Sequence, residues 1–193
     1  MTPLLDLFLL RPQAYVHACQ NQRAPWWISA FLILVGVVYG LLVAVLQRTI
    51  GGELQGIPIA NIPFWVLALG NMLPGVLIAI MVHIGAMLVA WLMAKALGGP
   101  GDLGALYRVT GYLFPLSLPG LPAVAFTVAA TTVTPPATGP MPLLYQLLAM
   151  VGTVLLAAGL YQALRVTQGF TPIRAALATI LFATFSTSIL ALA

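Results

Sequence analysis

The sequence predicts an all-α fold, a polytopic membrane helical bundle of five transmembrane spans with an N-terminal interfacial segment. Three observations carry that expectation. Of the 193 residues, 62% are hydrophobic and only 5% charged, whereas a soluble domain carries roughly 25% charged residues to hold a solvated face. Mean hydropathy is +1.08. Apolar stretches recur at the length of about 20 residues that a helix needs to cross a hydrocarbon layer ~30 Å thick. Five of them occupy about 100 residues, which leaves short connections and no room for a separate catalytic domain.

Charge and cysteine content exclude further classes. A net charge of +4 and a pI near 9.6 would suit an acidic partner, but nucleic-acid binding needs clustered Lys and Arg interleaved with aromatics. The seven cations here sit one or two per connection, so no nucleic-acid partner is expected. The single cysteine, Cys19, excludes an internal disulfide. Leu4 to Leu10 precede Arg11, the reverse of the order in a cleavable signal peptide, so the N-terminal segment is expected to be retained.

Residues 3–25 mix a Leu-rich start with Arg11, Gln13, Gln20 and Arg23, too polar for a span, and belong at the interface. Pro12 suits the first turn of a helix there, with Tyr15, Val16 and Cys19 as its apolar stripe. Trp26 and Trp27 mark the headgroup level at the start of span one, 26–47, which ends at Gln47 and Arg48. The connection 48–62 holds Gly51, Gly52, Gly56 and Pro58, all turn formers. From Pro63 to Leu97 the chain is apolar, about 50 Å if helical, which is too long for one straight span. A break is expected at Gly70-Asn71, with Asn71 capping the next helix and Pro74 in its first turn, so that span two is 71–95. Gly98-Gly99-Pro100-Gly101 is the clearest turn, and Asp102 reads as the N-cap of an amphipathic segment reaching Pro115. Prolines 115, 119 and 122 then break the start of span three, 116–133. An uncharged loop leads to span four, 143–164, and a turn containing Gly169 and Pro172 to span five, 173–193.

Alternating the connections across the bilayer puts Arg11, Arg23, Lys95, Arg108, Arg165 and Arg174 on one side and Arg48 on the other. The positive-inside rule makes the first side cytoplasmic, which sets the N-terminus in the cytoplasm and the C-terminus outside.

Three stretches carry a family resemblance: Leu7 to Arg11-Pro12-Gln13-Ala14-Tyr15, the glycine-rich turn at 98–101, and Arg108-Val109-Thr110-Gly111-Tyr112-Leu113-Phe114-Pro115. With the five-span layout, the chain resembles the YIP (Ypt/Rab-interacting protein) family, in particular its short bacterial members. The resemblance covers nearly the whole chain, and Gly111-Tyr112 followed by Pro115 is its most specific part. It implies a non-enzymatic, multi-pass protein of a bacterial cytoplasmic (inner) membrane. Eukaryotic relatives are linked to vesicle trafficking and prenylated Rab-type GTPases and carry an acidic, Tyr-containing motif before the first span. Asp6 alone does not make that motif, so GTPase binding is not carried over.

No catalytic, metal or cofactor constellation emerges: His17, His83, Asp6, Glu53 and Asp102 are scattered, without ligand spacing. No cofactor and no enzymatic activity are expected. Candidate sites are therefore intramembrane polar groups and packing ridges. His83 is the strongly ionisable side chain within a span; it reads as a neutral imidazole hydrogen-bonded to a Thr or Ser of a neighbouring helix, or as a functional group. Asn71 lies on another face of the same helix. Gly36 and Gly40, and Ala175, Thr179, Ala183 and Thr187 at four-residue spacing, form ridges that admit a second backbone, within the bundle or in a homo-oligomer. Gly111, Tyr112 and Pro115 shape a helix break or meet a partner. The expected partners are the lipid bilayer and a second copy or another membrane protein. The alternatives are a small transporter or channel component, with the broken helices facing substrate, and an accessory subunit of a larger membrane complex.

Overall fold

The computed structural model describes residues 3–192, with side chains from Leu5 to Ser186. The described residues are mostly helical, joined by short turns, one hairpin and a loop over 133–142. Its elements are α1 (Pro3–Phe8), α2 (Pro12–Gln20), α3 (Ala24–Ile50), β1 (Glu53–Leu54), β2 (Ile57–Pro58), α4 (Phe64–Ala96), α5 (Leu103–Leu113), α6 (Leu121–Thr132), α7 (Leu143–Gln168) and α8 (Pro172–Leu192). Four helical runs among the described residues are long and apolar enough to cross a membrane: Ala24–Ile50, Phe64–Ala96, Leu103–Thr132 and Leu143–Gln168. The apolar helix that follows, α8, falls short of that length over Pro172–Ser186.

Two of the expected boundaries are corrected. No break occurs at Gly70-Asn71: α4 is one helix of 33 residues with Pro74 inside it. A break in lipid frees several backbone groups that find no water, whereas an internal proline removes one N–H, the donor that would meet the Gly70 carbonyl. Asn71 caps nothing and instead donates from Nδ2 to the Leu67 carbonyl at 2.8 Å. Its 33 residues exceed what a ~30 Å hydrocarbon layer requires, a surplus of the kind that tilt or interfacial ends take up. The third span likewise starts at Leu103 rather than 116. Between α5 and α6 the backbone tightens into a 3₁₀ stretch, Phe114–Gly120, and Pro119 sits inside it without ending the run.

The chain forms two compact units. Unit 2 comprises Leu32–Ile80 and Ser117–Thr153. In it the small residues of α3 set the contact with α4: a Cβ on Gly36 would lie 2.5 Å from Val76 Cα, and one on Gly40 2.5 Å from Met72 Cα. Only glycine permits that approach. The connection after α3 is a hairpin in which Leu54 pairs with Ile57 across Gln55-Gly56. Both turn residues have positive φ, 53° and 80°, as the two-residue turns that suit strand twist demand. Glu53 pairs with Thr134 through two backbone hydrogen bonds of 2.9 and 2.8 Å. Ala44, Ile59, Leu67, Ala68 and Val133 form the core beneath it.

Unit 1 comprises the chain up to Phe31, Met81–Leu116 and the chain from Val154 onward. Here α2 packs on α5. Its buried face is Ala14, Tyr15 and Ala18, not the expected Tyr15, Val16 and Cys19; Val16 points outward. Alanines let the two backbones come close, and the larger Val16 is left for the outer face.

Candidate functional site

The candidate site of unit 1 is built around α5. Asp102 is its N-cap, as expected, and Oδ1 accepts from the Ala105 N–H at 3.1 Å. The preceding turn needs glycine at Gly98 and Gly101, whose φ values are 76° and 67°. Two side chains pin that turn: Trp91 Nε1 donates to the Gly101 carbonyl at 3.0 Å, and the buried Gln168 accepts from the Gly101 N–H at 2.9 Å. The start of α5 is thereby fixed, and its apolar face turns inward through Leu106, Val109 and Leu113.

The most specific residues of the sequence, Gly111, Tyr112 and Pro115, fall at a buried junction. A Cβ on Gly111 would lie 2.5 Å from Ile28 Cγ1. The Tyr112 ring stands edge-on to Phe31 at 5.5 Å, and its hydroxyl accepts from Asn21 Nδ2 at 3.2 Å. Arg108 Nη1 donates to the Cys19 carbonyl at 2.6 Å. These two hydrogen bonds latch the end of α2 to α5. Burial pushes the Cys19 thiol above its usual range; nearby Arg108 draws it down and Asp102 adds to the rise. Burial raises the Tyr15 phenol well above its ordinary value too, and its hydroxyl, close to Gly159, has no hydrogen-bond partner among the described residues.

His83 is 2% exposed. Its ring lies 5.0 Å from that of Tyr107 and 5.6 Å from that of Phe114. The expected hydrogen bond to a Thr or Ser is corrected: neither ring nitrogen has a partner among the described residues. The hydroxyl of Thr110, the threonine of α5, turns back to its own helix and donates to the Leu106 carbonyl at 2.7 Å. Span hydroxyls in lipid commonly do this, and Thr127, Thr153 and Thr179 do the same.

In unit 2, Asn71 has a second bond that the sequence did not reveal. Its Nδ2 donates to Gln47 Oε1 at 3.0 Å, and Gln47 Nε2 donates to Thr132 Oγ1 at 2.9 Å. Gln47, the expected end of span one, is 2% exposed. The signal was present: two amides in apolar helices each require a partner in lipid. Beside it, the Arg48 guanidinium donates to the Ile59 and Ile62 carbonyls and fastens the connection after the hairpin.

The ridge on α8 is corrected in part. Ala175 is fully buried, Thr179 half-buried and Ala183 exposed, while Ala178 is fully buried. A strict four-residue row drifts about 40° per step around a helix of 3.6 residues per turn, so the packed stripe follows 175 and 178 instead. The Thr187 side chain lies outside the described residues.

Among the described residues no three His, Cys, Asp or Glu side chains come together. The arrangement holds helices to one another and places cations on the surface. A family model, the Yip1 domain, matches residues 6–193. Neither a curated protein nor a solved structure matches the chain. With a match that covers it almost from end to end and the long apolar helices described above, the protein is a multi-pass membrane protein that belongs to the Yip1 domain family.

Proposed function

We propose that the protein is a non-enzymatic, five-span component of a bacterial cytoplasmic membrane, with its N-terminus in the cytoplasm and its C-terminus outside, acting through contacts with the bilayer and with other membrane proteins. The observation that carries this reading is the use of the polar side chains. Gln47, Asn71 and Thr132 bond to one another, Gln168 and Trp91 hold a turn, and span hydroxyls bond to their own helices. Polar groups that join helices serve packing rather than turnover. The continuity of α4 also removes one of the two broken helices on which a transporter reading relied.

A second reading has its own support. Both α4 and α7 leave most of their apolar surface uncovered, with Leu73, Met81, Leu144 and Met150 among the exposed side chains, and such faces suit an accessory subunit docked on a larger complex. Gentle solubilisation and purification of the intact chain, followed by native mass measurement, separates the two. The proposal expects the chain alone, as a homo-oligomer or with substoichiometric partner proteins, with bound phospholipid. Stoichiometric unrelated subunits would establish the accessory role instead. A proton flux in reconstituted vesicles that His83→Gln abolishes, with the fold intact, would overturn both in favour of transport.

A further inference from the structure

Six of the seven basic residues belong to unit 1, together with two acids, Asp6 and Asp102. All six are exposed. Asp6 pairs with Arg11 at 2.9 Å, and Asp102 caps α5. Arg23 and Arg108 bracket the C-terminal turn of α2 without an acid of their own among the described residues. Arg108 reaches that turn from α5 through the Cys19 carbonyl, at the helix end where a cation is favoured by the dipole. Arg23 follows four residues later, its backbone N–H held at 2.9 Å by Asn21 Oδ1, while Asn21 itself is tied to Tyr112. A guanidinium offers five N–H donors, and the Cys19 carbonyl takes only the Nη1 side of Arg108. Just after Arg23 in the chain, Trp26 and Trp27 are exposed, Trp26 to 74%, as is Val16 on α2. Exposed indoles beside arginines match the chemistry of a headgroup layer, where the ring meets the acyl boundary and the cation meets phosphate.

We propose that Arg23 and Arg108 form a binding site for one anionic phospholipid headgroup at the α2–α5 junction. The occupant belongs to the leaflet against which α1 and α2 lie. This rests on the membrane-contact reading above and names the partner of that contact. Charge complementarity selects the occupant: two guanidinium groups face a lipid of net negative charge, and the exposed rings of Trp26 and Trp27 accommodate its apolar part, which a soluble anion would not require. The lipid reinforces the latch already made by Arg108 and Asn21, so that the N-terminal arm docks more firmly in an acidic leaflet.

Cys19, the single cysteine, reports on the site because its own carbonyl is the Arg108 acceptor. The test times maleimide labelling of Cys19 in the purified full chain, in nanodiscs of phosphatidylglycerol or of phosphatidylcholine. Labelling is expected to be several-fold slower in phosphatidylglycerol. Arg23→Gln with Arg108→Gln should abolish the difference, and Arg165→Gln with Arg174→Gln should leave it. Because Arg108→Gln also removes the latch, Arg23→Gln alone is the decisive variant; losing one arginine is expected to weaken lipid binding about fivefold. Equal rates in the two lipids, an unaltered difference in Arg23→Gln, or its loss in the Arg165/Arg174 variant would overturn the site. Inorganic phosphate that reproduces the slowing in phosphatidylcholine discs would identify a soluble anion and overturn the lipid. Labelling of Cys19 by an impermeant maleimide from outside intact cells would instead overturn the topology, and the nanodisc result would stand independently of it.

Discussion

His83 shows how differently lipid and water treat one side chain. A neutral imidazole brings one donor and one acceptor that water would satisfy, and burying such a group without a partner costs about 1–3 kcal/mol. Its neighbours are the rings of Tyr107 and Phe114, so an apolar ring serves the same packing. His83→Phe is therefore expected to leave thermal unfolding of the detergent-purified protein unchanged or to raise its stability by about 1 kcal/mol. A clear loss of stability would show that a nitrogen of His83 is hydrogen-bonded in the membrane. Glycines give the sharper contrast. A Cβ on Gly40 meets the α4 backbone, whereas one on Gly70 meets nothing within 4 Å. Gly40→Leu should cost at least the 1–3 kcal/mol typical of overpacking, and Gly70→Leu should be tolerated; thermal unfolding of the two variants side by side checks both.

At the scale of elements, α8 carries the next prediction. Ala175 is fully buried and Ala183 exposed. Ala175→Leu is expected to destabilise the protein by about 1–3 kcal/mol, and Ala183→Leu to be nearly neutral, as read from thermal midpoints. Equal effects would mean that the four-residue ridge itself is packed. Elements whose cause is local were legible in the sequence. Pro12 opens α2, Asp102 caps α5 through its own carboxylate, and Gly98 and Gly101 take the positive φ values that a turn there needs. Elements decided by the solvent or by distant residues were not. Gly70, Asn71 and Pro74 together read as a helix stop by rules learned in water, but in lipid the helix continues and Asn71 bonds to Gln47, 24 residues away. The hairpin at Glu53–Pro58 was visible only as turn formers, because its strands are two residues long and Glu53 pairs with Thr134, far along the chain. Of the candidate site, Gly111, Tyr112 and Pro115 were legible as special, and their role in a buried junction was not. That role depends on Asn21, Ile28 and Phe31, whose proximity no local pattern encodes.

For the whole molecule, charge distribution and hydrophobicity make one account. Unit 1 carries Arg11, Arg23, Lys95, Arg108, Arg165 and Arg174, and unit 2 carries Arg48. In the proposed topology those six cations are the ones that the positive-inside rule places in the cytoplasm. The helical runs Ala24–Ile50, Phe64–Ala96, Leu103–Thr132 and Leu143–Gln168 each contribute residues to both units, while α8 falls in unit 1 alone. The last helix is therefore where the five-span topology is most exposed to test. The direct measurement fuses a phosphatase that folds only outside the cytoplasm within the Gly98–Gly101 turn, within the hairpin at Gly56, and after Ala193. The account predicts an inactive fusion at the first site and active fusions at the other two. An inactive fusion after Ala193 beside an active one at Gly56 would contradict it, since the final helix would then return to the side from which it started.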